Sequence, residues 1–207
     1  MVGEWLPKKI GEIIEVVVDN RGKTPPLSPE ITDYELIEVN ALVSKQKTPD
    51  YRAIKKYVDQ ATYKTWFRKG HPQADDVLFA TVGTIAEVSY VDECRGCIAQ
   101  NIISLRTDKT KALGEYLYYL LRTSSIKNEL LSLNISSVQP SIKVPHLLNF
   151  QVEIPEPKEQ QAIVEVLSSL DDKIELNRRM NETLEGMART LFKDWFIDFG
   201  PVKAKAA

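Results

Sequence analysis

The stretch from residue 154 to residue 199, IPEPKEQQAIVEVLSSLDDKIELNRRMNETLEGMARTLFKDWFIDF, reads as one long helix that needs a partner. Pro155 and Pro157 fix an extended connection, and Pro157 stands where a helix start tolerates the missing N–H. Beyond it, apolar or small residues recur with 4,3 spacing at Ile163, Leu167, Leu170 and Ile174, then at Leu184, Ala188, Leu191 and Trp195. That spacing is a coiled-coil seam. From Lys158 to about Phe196 the helix is roughly 58 Å long at 1.5 Å per residue, and its apolar stripe has to be covered. Asn177 and Asn181 take the two consecutive seam positions in the middle. In an antiparallel pair with a two-fold axis near Arg179, Asn177 of one helix meets Asn181 of the other, and the two amides satisfy each other. In the alternative, the helix bends or the seam rotates there, and both face solvent.

Working outward, the 155 residues before this helix change pattern. Strand-like runs IIEVVVD, DVLFATVG, AEVSYV and AQNIISLR alternate with polar turns, and KALGEYLYYLLRTSSIKNELLSL reads as a helix. Strands and helices do not alternate regularly enough for a doubly wound sheet. The expected class is α+β: a mixed α/β domain over 1–155, one long C-terminal coiled-coil helix over 156–199, and a tail over 200–207.

Charge divides at the same place. Between Asn40 and Gly70 eight basic residues (Lys45, Lys47, Arg52, Lys55, Lys56, Lys64, Arg68, Lys69) stand against Asp50 and Asp59, a local net of +6, although the whole chain is at −2. Tyr51, Tyr57, Tyr63, Trp66 and Phe67 are interleaved with them. This mixture suits phosphate contact alongside packing or base contact, and equally a solvated face over a few core aromatics. Residues 156–199 carry ten acidic and six basic side chains, a net of −4, which points to a different partner.

With 207 residues, 43% of them hydrophobic and 27% charged, the chain is long enough to bury a core. No run approaches the roughly 18 apolar residues of a membrane span. MVGEWLPKK leads into no apolar signal core, so no membrane association and a cytoplasmic location are expected. Cys94 and Cys97 are too few for a disulfide framework, and His71 and His146 lie too far off to complete a zinc site. The C-x-x-C pair reads instead as a hairpin in which Arg95-Gly96 turns between VSYV and CIAQNII.

Catalytic readings fail on the same residues. Gly22-Lys23-Thr24 resembles the end of a phosphate-binding loop, but the first glycine of G-x-x-x-x-G-K-T falls on Val17. Glu156-Pro157-Lys158 gives a nominal E-x-K, yet its proline and helix start deny it the strand of a nuclease. Neither a glycine-rich methyl-donor loop nor a proline-rich methyltransferase tetrapeptide is visible.

The helix resembles the conserved helical region of type I restriction-modification specificity subunits. The resemblance is carried by the proline-led EQ-x-x-I, the LD-x-KI-x-LN, the N-x-x-LE-x-MA and the final LF-x-x-WF-x-DF. The preceding domain is similar to a target-recognition domain in Arg21-Gly22-Lys23-Thr24-Pro25-Pro26, Asp76-Val77-Leu78-Phe79 with Thr81-Val82-Gly83-Thr84, Gln100-Asn101-Ile102, and Gln139-Pro140-Ser141-Ile142. That family's usual subunit joins two recognition domains through two such helices, each domain reading half of a split site. Here one of each is present, and the ending GPVKAKAA also fits half of a longer subunit.

The resemblance implies an enzymatically inactive specificity subunit. As an antiparallel homodimer through Ile163, Leu167, Leu170, Ile174, Asn177, Asn181, Leu184, Ala188, Leu191 and Trp195, it would read two identical, inverted half-sites on double-stranded DNA. Modification subunits would bring S-adenosylmethionine and methylate adenine, and a restriction subunit would join for cleavage. This chain itself would hold neither cofactor nor metal. DNA-facing loops are expected at Lys23 and Thr24, around Thr81, Gly83 and Thr84, and from Ser136 through Gln139 and Ser141 to Lys143. Backbone phosphate contacts are expected from Arg52, Lys55, Lys56, Arg68 and Lys69. The competing reading is a coiled-coil interaction module that binds protein rather than DNA.

Overall fold

The run Asp76-Val77-Leu78-Phe79-Ala80 lies at the centre of the fold because both of its faces are covered. In the computed structural model, which describes residues 5–44, 46–136 and 138–206, β4 (Val77–Ala80) is buried at every position. Lys45 of the basic window, Ser137 of the loop that starts at Ser136, and the chain ends 1–4 and 207 lie outside the described residues. The strands before β4 are β1 (Leu6–Lys9), β2 (Ile14–Val18) and β3 (Leu36–Ile37); those after it are β5 (Val88–Tyr90), β6 (Cys97–Ile98), β7 (Ile102–Thr107) and β8 (Gln151–Ile154). Four of them form an antiparallel sheet in the order β2-β7-β4-β5, with Phe79 opposite Ile103 and Val88.

Alternation along β4 and β7 sends Val77, Phe79, Ile103 and Leu105 to one hydrophobic cluster and Leu78, Ala80 and Ile102 to another. This two-sided burial explains why these strands read as near-continuous apolar runs rather than alternating ones. The first cluster is completed by the helices α1 (Ile10–Ile13), α4 (Gly114–Arg122), α5 (Ser124–Ser132) and α6 (Val144–Asn149). The second is completed by α2 (Val39–Leu42) and Ile54. A 3-10 turn at Tyr51–Ala53 and α3 (Gln60–Thr65) lie between α2 and β4. The architecture is α+β, as the sequence predicts.

Two local readings change. The helix expected over 111–133 is two helices, because Thr123 leaves the helical region (ψ 139°) and its hydroxyl donates to Leu120 O at 2.8 Å, the local side-chain competition that hydroxyl residues offer a helix. α4 opens on Gly114, where a Cβ would stand 1.9 Å from Asp75 O. The hairpin expected at Cys94–Cys97 does not form: β5 pairs with β4, whereas β6 runs parallel to β3, with Leu36 opposite Cys97. Gly96 still turns the chain (φ +70°), and burial pushes the Cys97 thiol up to about 12. No group of metal-ligating side chains occurs among the described residues.

Two compact units result, one running to Glu165 and one starting at Val166. The long helix α7 (Pro157–Phe192) therefore begins inside the first unit. Gln160 is fully buried there and all its amide capacity on that side is used: Nε2 donates to Lys111 O (3.0 Å) and Pro155 O (2.8 Å), and Oε1 accepts from Leu113 N (2.9 Å). Val164 is buried and Ile163 is packed on the same cluster as Phe79. Ile163 is thus packed on the domain core, which corrects its assignment to the seam: the EQ-x-x-I segment is built into the first unit.

From Val166 onward the second unit is a helix without cover. Leu170, Ile174, Leu184, Leu191 and Trp195 are each about half exposed or more, Leu167 is half-buried, and Asn177, Asn181 and Ala188 are exposed. The α-helix ends at Phe192, a single π turn follows over Lys193–Ile197, and residues 200–206, expected to be a tail, form α8 (Gly200–Ala206). Ala188, Leu191, Phe192, Trp195 and Phe196 line an open apolar recess, with the rings of Phe192 and Phe196 stacked at 5.1 Å. No described helix is long and apolar enough to cross a membrane.

Midway along α7, Glu175 accepts from Arg178 (2.8 Å twice) and Arg179 (2.7 Å), and Arg178 also pairs with Glu182. These contacts, Arg178 first, hold the Glu175 carboxyl down to about 2, against 4.5 for the free group. Because the folded value is depressed, the stabilisation is complete above pH 4.5 and is lost as pH falls toward 2. The pairs are largely solvent-exposed, so the effect is small. Far-UV circular dichroism is expected to show helix loss setting in below pH 4.5 at a higher pH for Arg178→Ala than for the parent chain. Coincident acid transitions would contradict this.

Candidate nucleic-acid interface

Three loops that are distant in sequence meet at the β4 end of the sheet. β4 stops at Ala80, and Thr81 is gripped by its neighbours: its N–H and hydroxyl donate to Asn101 O (2.9 and 3.2 Å), and its own O accepts from Ile142 N (2.9 Å). Gly83, at φ +87°, donates its N–H to Pro140 O (2.9 Å), and Val82 bridges Ser141. The 81–84, 100–101 and 139–142 segments are therefore one hydrogen-bonded unit. Asn134 holds the last segment closed from behind, its Oδ1 accepting from Ser136 N (3.2 Å) and Ser141 N (2.9 Å).

This unit and the Arg21–Pro25 turn enclose a crevice of about 470 Å³ that brings Thr24, Lys56, Gly83 and Gln139 together, with Arg21, Gln100 and Asn101 beside them. Next to the same turn, a second recess collects Lys23, Arg68 and Lys69 around Arg21 and Trp66. Asn20 ties its walls, donating to Gly70 O (2.9 Å) and accepting from Lys69 N (3.1 Å). A third recess is lined by Gly83 and Thr84 with Asn40 and Asn101. Eight of the expected residues thus gather on adjoining recesses: Lys23, Thr24, Lys56, Arg68, Lys69, Gly83, Thr84 and Gln139.

The others stand differently. Thr81 is fully buried, so its side chain fastens the loop rather than reaching outward; this corrects its expected role as a surface contact. Ser136 and Ser141 act in the loop closure just described, and Lys143 is exposed at the start of α6. Arg52 and Lys55 are exposed around the 3-10 turn and line none of the three recesses.

The basic window is less free than its count implies. Lys47 pairs with Glu115 and lies 4.7 Å over the Tyr90 ring, Lys56 pairs with Glu38 (2.8 Å), and Arg52 pairs with Asp50 (3.2 Å). Arg21 is bidentate on Asp19 (2.7 and 2.6 Å); burial pushes that carboxyl up, but the Arg21 contacts and charge outweigh it and hold it below the usual range. Lys23, Lys55, Lys64, Arg68 and Lys69 are exposed. Exposed pairs such as Lys56–Glu38 are worth about 0–1 kcal/mol, so an incoming phosphate can exchange for the carboxylate.

Among the interleaved aromatics, Tyr63 stacks on His71 (ring centroids 3.7 Å), Tyr34 lies tilted against Tyr63 (4.5 Å), and Phe67 is buried. Tyr34, Tyr63 and Phe67 belong to the small core cluster of Leu36, Val58 and Cys97, and the half-buried Trp66, packed on the same cluster, also lines the recess. Asn101, absent from the expected contacts, lines two recesses; only its place in Gln100-Asn101-Ile102 pointed to it.

An α+β domain whose loops converge on one cation-rimmed rim, followed by a long helix with an uncovered stripe, defines the class of this chain. It belongs to the family described as the type I restriction modification DNA specificity domain, whose model matches residues 3–186. The chain is 43% identical over 95 residues to the type I restriction enzyme MjaIX specificity subunit of Methanocaldococcus jannaschii, covering 46% of this chain and 22% of that one. It is 40% identical over 96 residues to the HindI specificity subunit of Haemophilus influenzae, covering 45% and 21%. The fold is similar to the S subunit of a type I system from M. genitalium (TM-score 0.68, 18% identity, 94% of this chain and 46% of that one). It is similar as well to the HsdS subunit from Thermoanaerobacter tengcongensis (TM-score 0.60, 17% identity, 92% and 48%). The match therefore spans about a fifth of the curated relatives and about half of the solved subunits.

Proposed function

We propose that this chain is a non-catalytic, sequence-specific DNA-recognition subunit of a type I restriction-modification system, and that it reads one half of a bipartite site. The observation that carries the reading is the convergence of the Lys23–Thr24, Val82–Thr84 and Gln139–Ser141 segments with Lys56, Arg68 and Lys69 on adjoining recesses. A rigid rim of polar groups flanked by exposed cations supplies both kinds of contact that duplex recognition needs. Cations hold phosphates and set register, while polar side chains reach base edges.

Two copies pair antiparallel through the stripe of α7 that begins at Leu167, with Asn177 against Asn181, and present two inverted half-sites. Modification subunits dock on this assembly in the cytoplasm, bring S-adenosylmethionine and methylate a flipped adenine. A restriction subunit completes the complex. The chain supplies address and spacing and holds no cofactor of its own.

Fluorescence anisotropy of labelled duplexes, with the full chain assembled with its modification subunits, tests the reading. Affinity is expected to fall steeply with salt. Lys23→Ala combined with Lys69→Ala is expected to weaken binding alike on every duplex and to reduce the log–log salt slope by about 2. Salt-independent binding, or a loss confined to one sequence, would contradict the assignment of these lysines to phosphates. A chain that binds no duplex but still captures protein partners would establish the interaction-module reading instead.

A further inference from the structure

The crevice beside Thr24 is lined by Asn101, whose amide oxygen no described residue satisfies. Oδ1 of Asn101 is covered and accepts no hydrogen bond among the described residues, although the side chain lines both this crevice and the adjoining recess. Buried amide oxygens are nearly always paired. The cations at the crevice do not supply the donor, since Arg21 is held on Asp19 (2.7 and 2.6 Å) and Lys56 on Glu38 (2.8 Å). The other polar side chains at the rim, Thr24, Gln100 and Gln139, are exposed.

The backbone beneath the amide is fixed. Asn101 O takes both the N–H and the hydroxyl of Thr81, and Ile102 N closes the turn on Ala99 O at 3.1 Å. Only the side-chain torsions have to change to turn the covered oxygen toward a ligand arriving from solvent, and the backbone that carries it stays fixed.

We propose that Asn101 reads an adenine of the half-site from the major groove, its Oδ1 accepting from the N6 amino group and its Nδ2 donating to N7. This rests on the DNA-reading function proposed above. The carboxamide offers one acceptor beside one donor, which matches the donor and acceptor that adenine presents there. Guanine presents two acceptors, and cytosine a single amino donor. A bidentate pair of this kind discriminates about 5- to 150-fold against the wrong base.

The test is selection from a randomised duplex library by the full chain assembled with its modification subunits, comparing the parent with Asn101→Leu and Asn101→Asp. The parent is expected to fix an A·T pair at one position of its half-site. Asn101→Leu loses that preference and keeps the others. Asn101→Asp, which preserves shape and so endangers the fold least, shifts the position toward cytosine, because a carboxylate accepts from N4 but cannot donate to N7. An unchanged motif in Asn101→Asp, or a loss spread over all positions with a parental melting curve, overturns the assignment. If the parent selects no motif at all, the DNA-reading function itself fails, and the Asn101 assignment falls with it.

Discussion

Replacing Leu170 by aspartate is expected to abolish the self-association proposed for this chain. Leu170 sits on the uncovered stripe of α7 and is 49% exposed in the single chain, so the substitution costs little in the isolated helix. In an antiparallel pair the same position is covered, and every dimer buries two of the new carboxylates. Burying polar groups without partners costs about 1–3 kcal/mol each, and charges cost more. Self-association should therefore weaken by at least about 100-fold, while the helix content of the monomer stays the same. Sedimentation equilibrium of the variant beside the parent decides it, and an unchanged dimer would remove this face from the interface.

The largest expected loss of stability lies elsewhere, at Asp76. Its carboxylate is fully buried and takes hydrogen bonds from Gln73 N (3.0 Å), Ser104 Oγ (2.8 Å) and Arg106 Nε and Nη2 (2.9 and 3.0 Å). It thereby locks the entry of β4 to β7. Asp76→Ala leaves the Arg106 guanidinium and the Ser104 hydroxyl without their partner. Breaking a buried pair from one side costs about 3–5 kcal/mol, a large part of the roughly 5–15 kcal/mol that typically holds a domain. Denaturant titration is expected to show a midpoint sharply lower than the parent's. A loss under about 1 kcal/mol would mean that solvent reaches Arg106 and replaces the carboxylate.

The long helix was legible because its signal is periodic: seam residues repeat over ten positions, and a period survives ignorance of tertiary contacts. The α+β class was legible for a similar reason, in runs such as Asp76–Ala80. What escaped were features decided by residues far apart in sequence. Ile163 keeps the seam's spacing, yet the buried Gln160 beside it anchors that turn to the domain. Thr81 belongs to a loop that faces outward, but its hydroxyl is spent on Asn101 O.

The +6 window leaves out Glu38 and Glu115, which both lie outside it in sequence and pair with Lys56 and Lys47. Cys97 looks like half of a hairpin because Gly96 does turn the chain, but the partner of its strand is the distant β3, with Leu36 opposite Cys97. Asn101 had no charge or periodicity to mark it, and its unpaired oxygen exists only in three dimensions.

The proposed function has two copies of this chain acting together, each bringing one recognition domain and one helix. Its most direct test is the mass of the purified full chain by light scattering over a range of concentrations, without DNA or partner subunits. A species of about twice 23.5 kDa is expected. A monomer at every concentration would contradict it, leaving α7 to be covered by a partner other than a second copy of this chain.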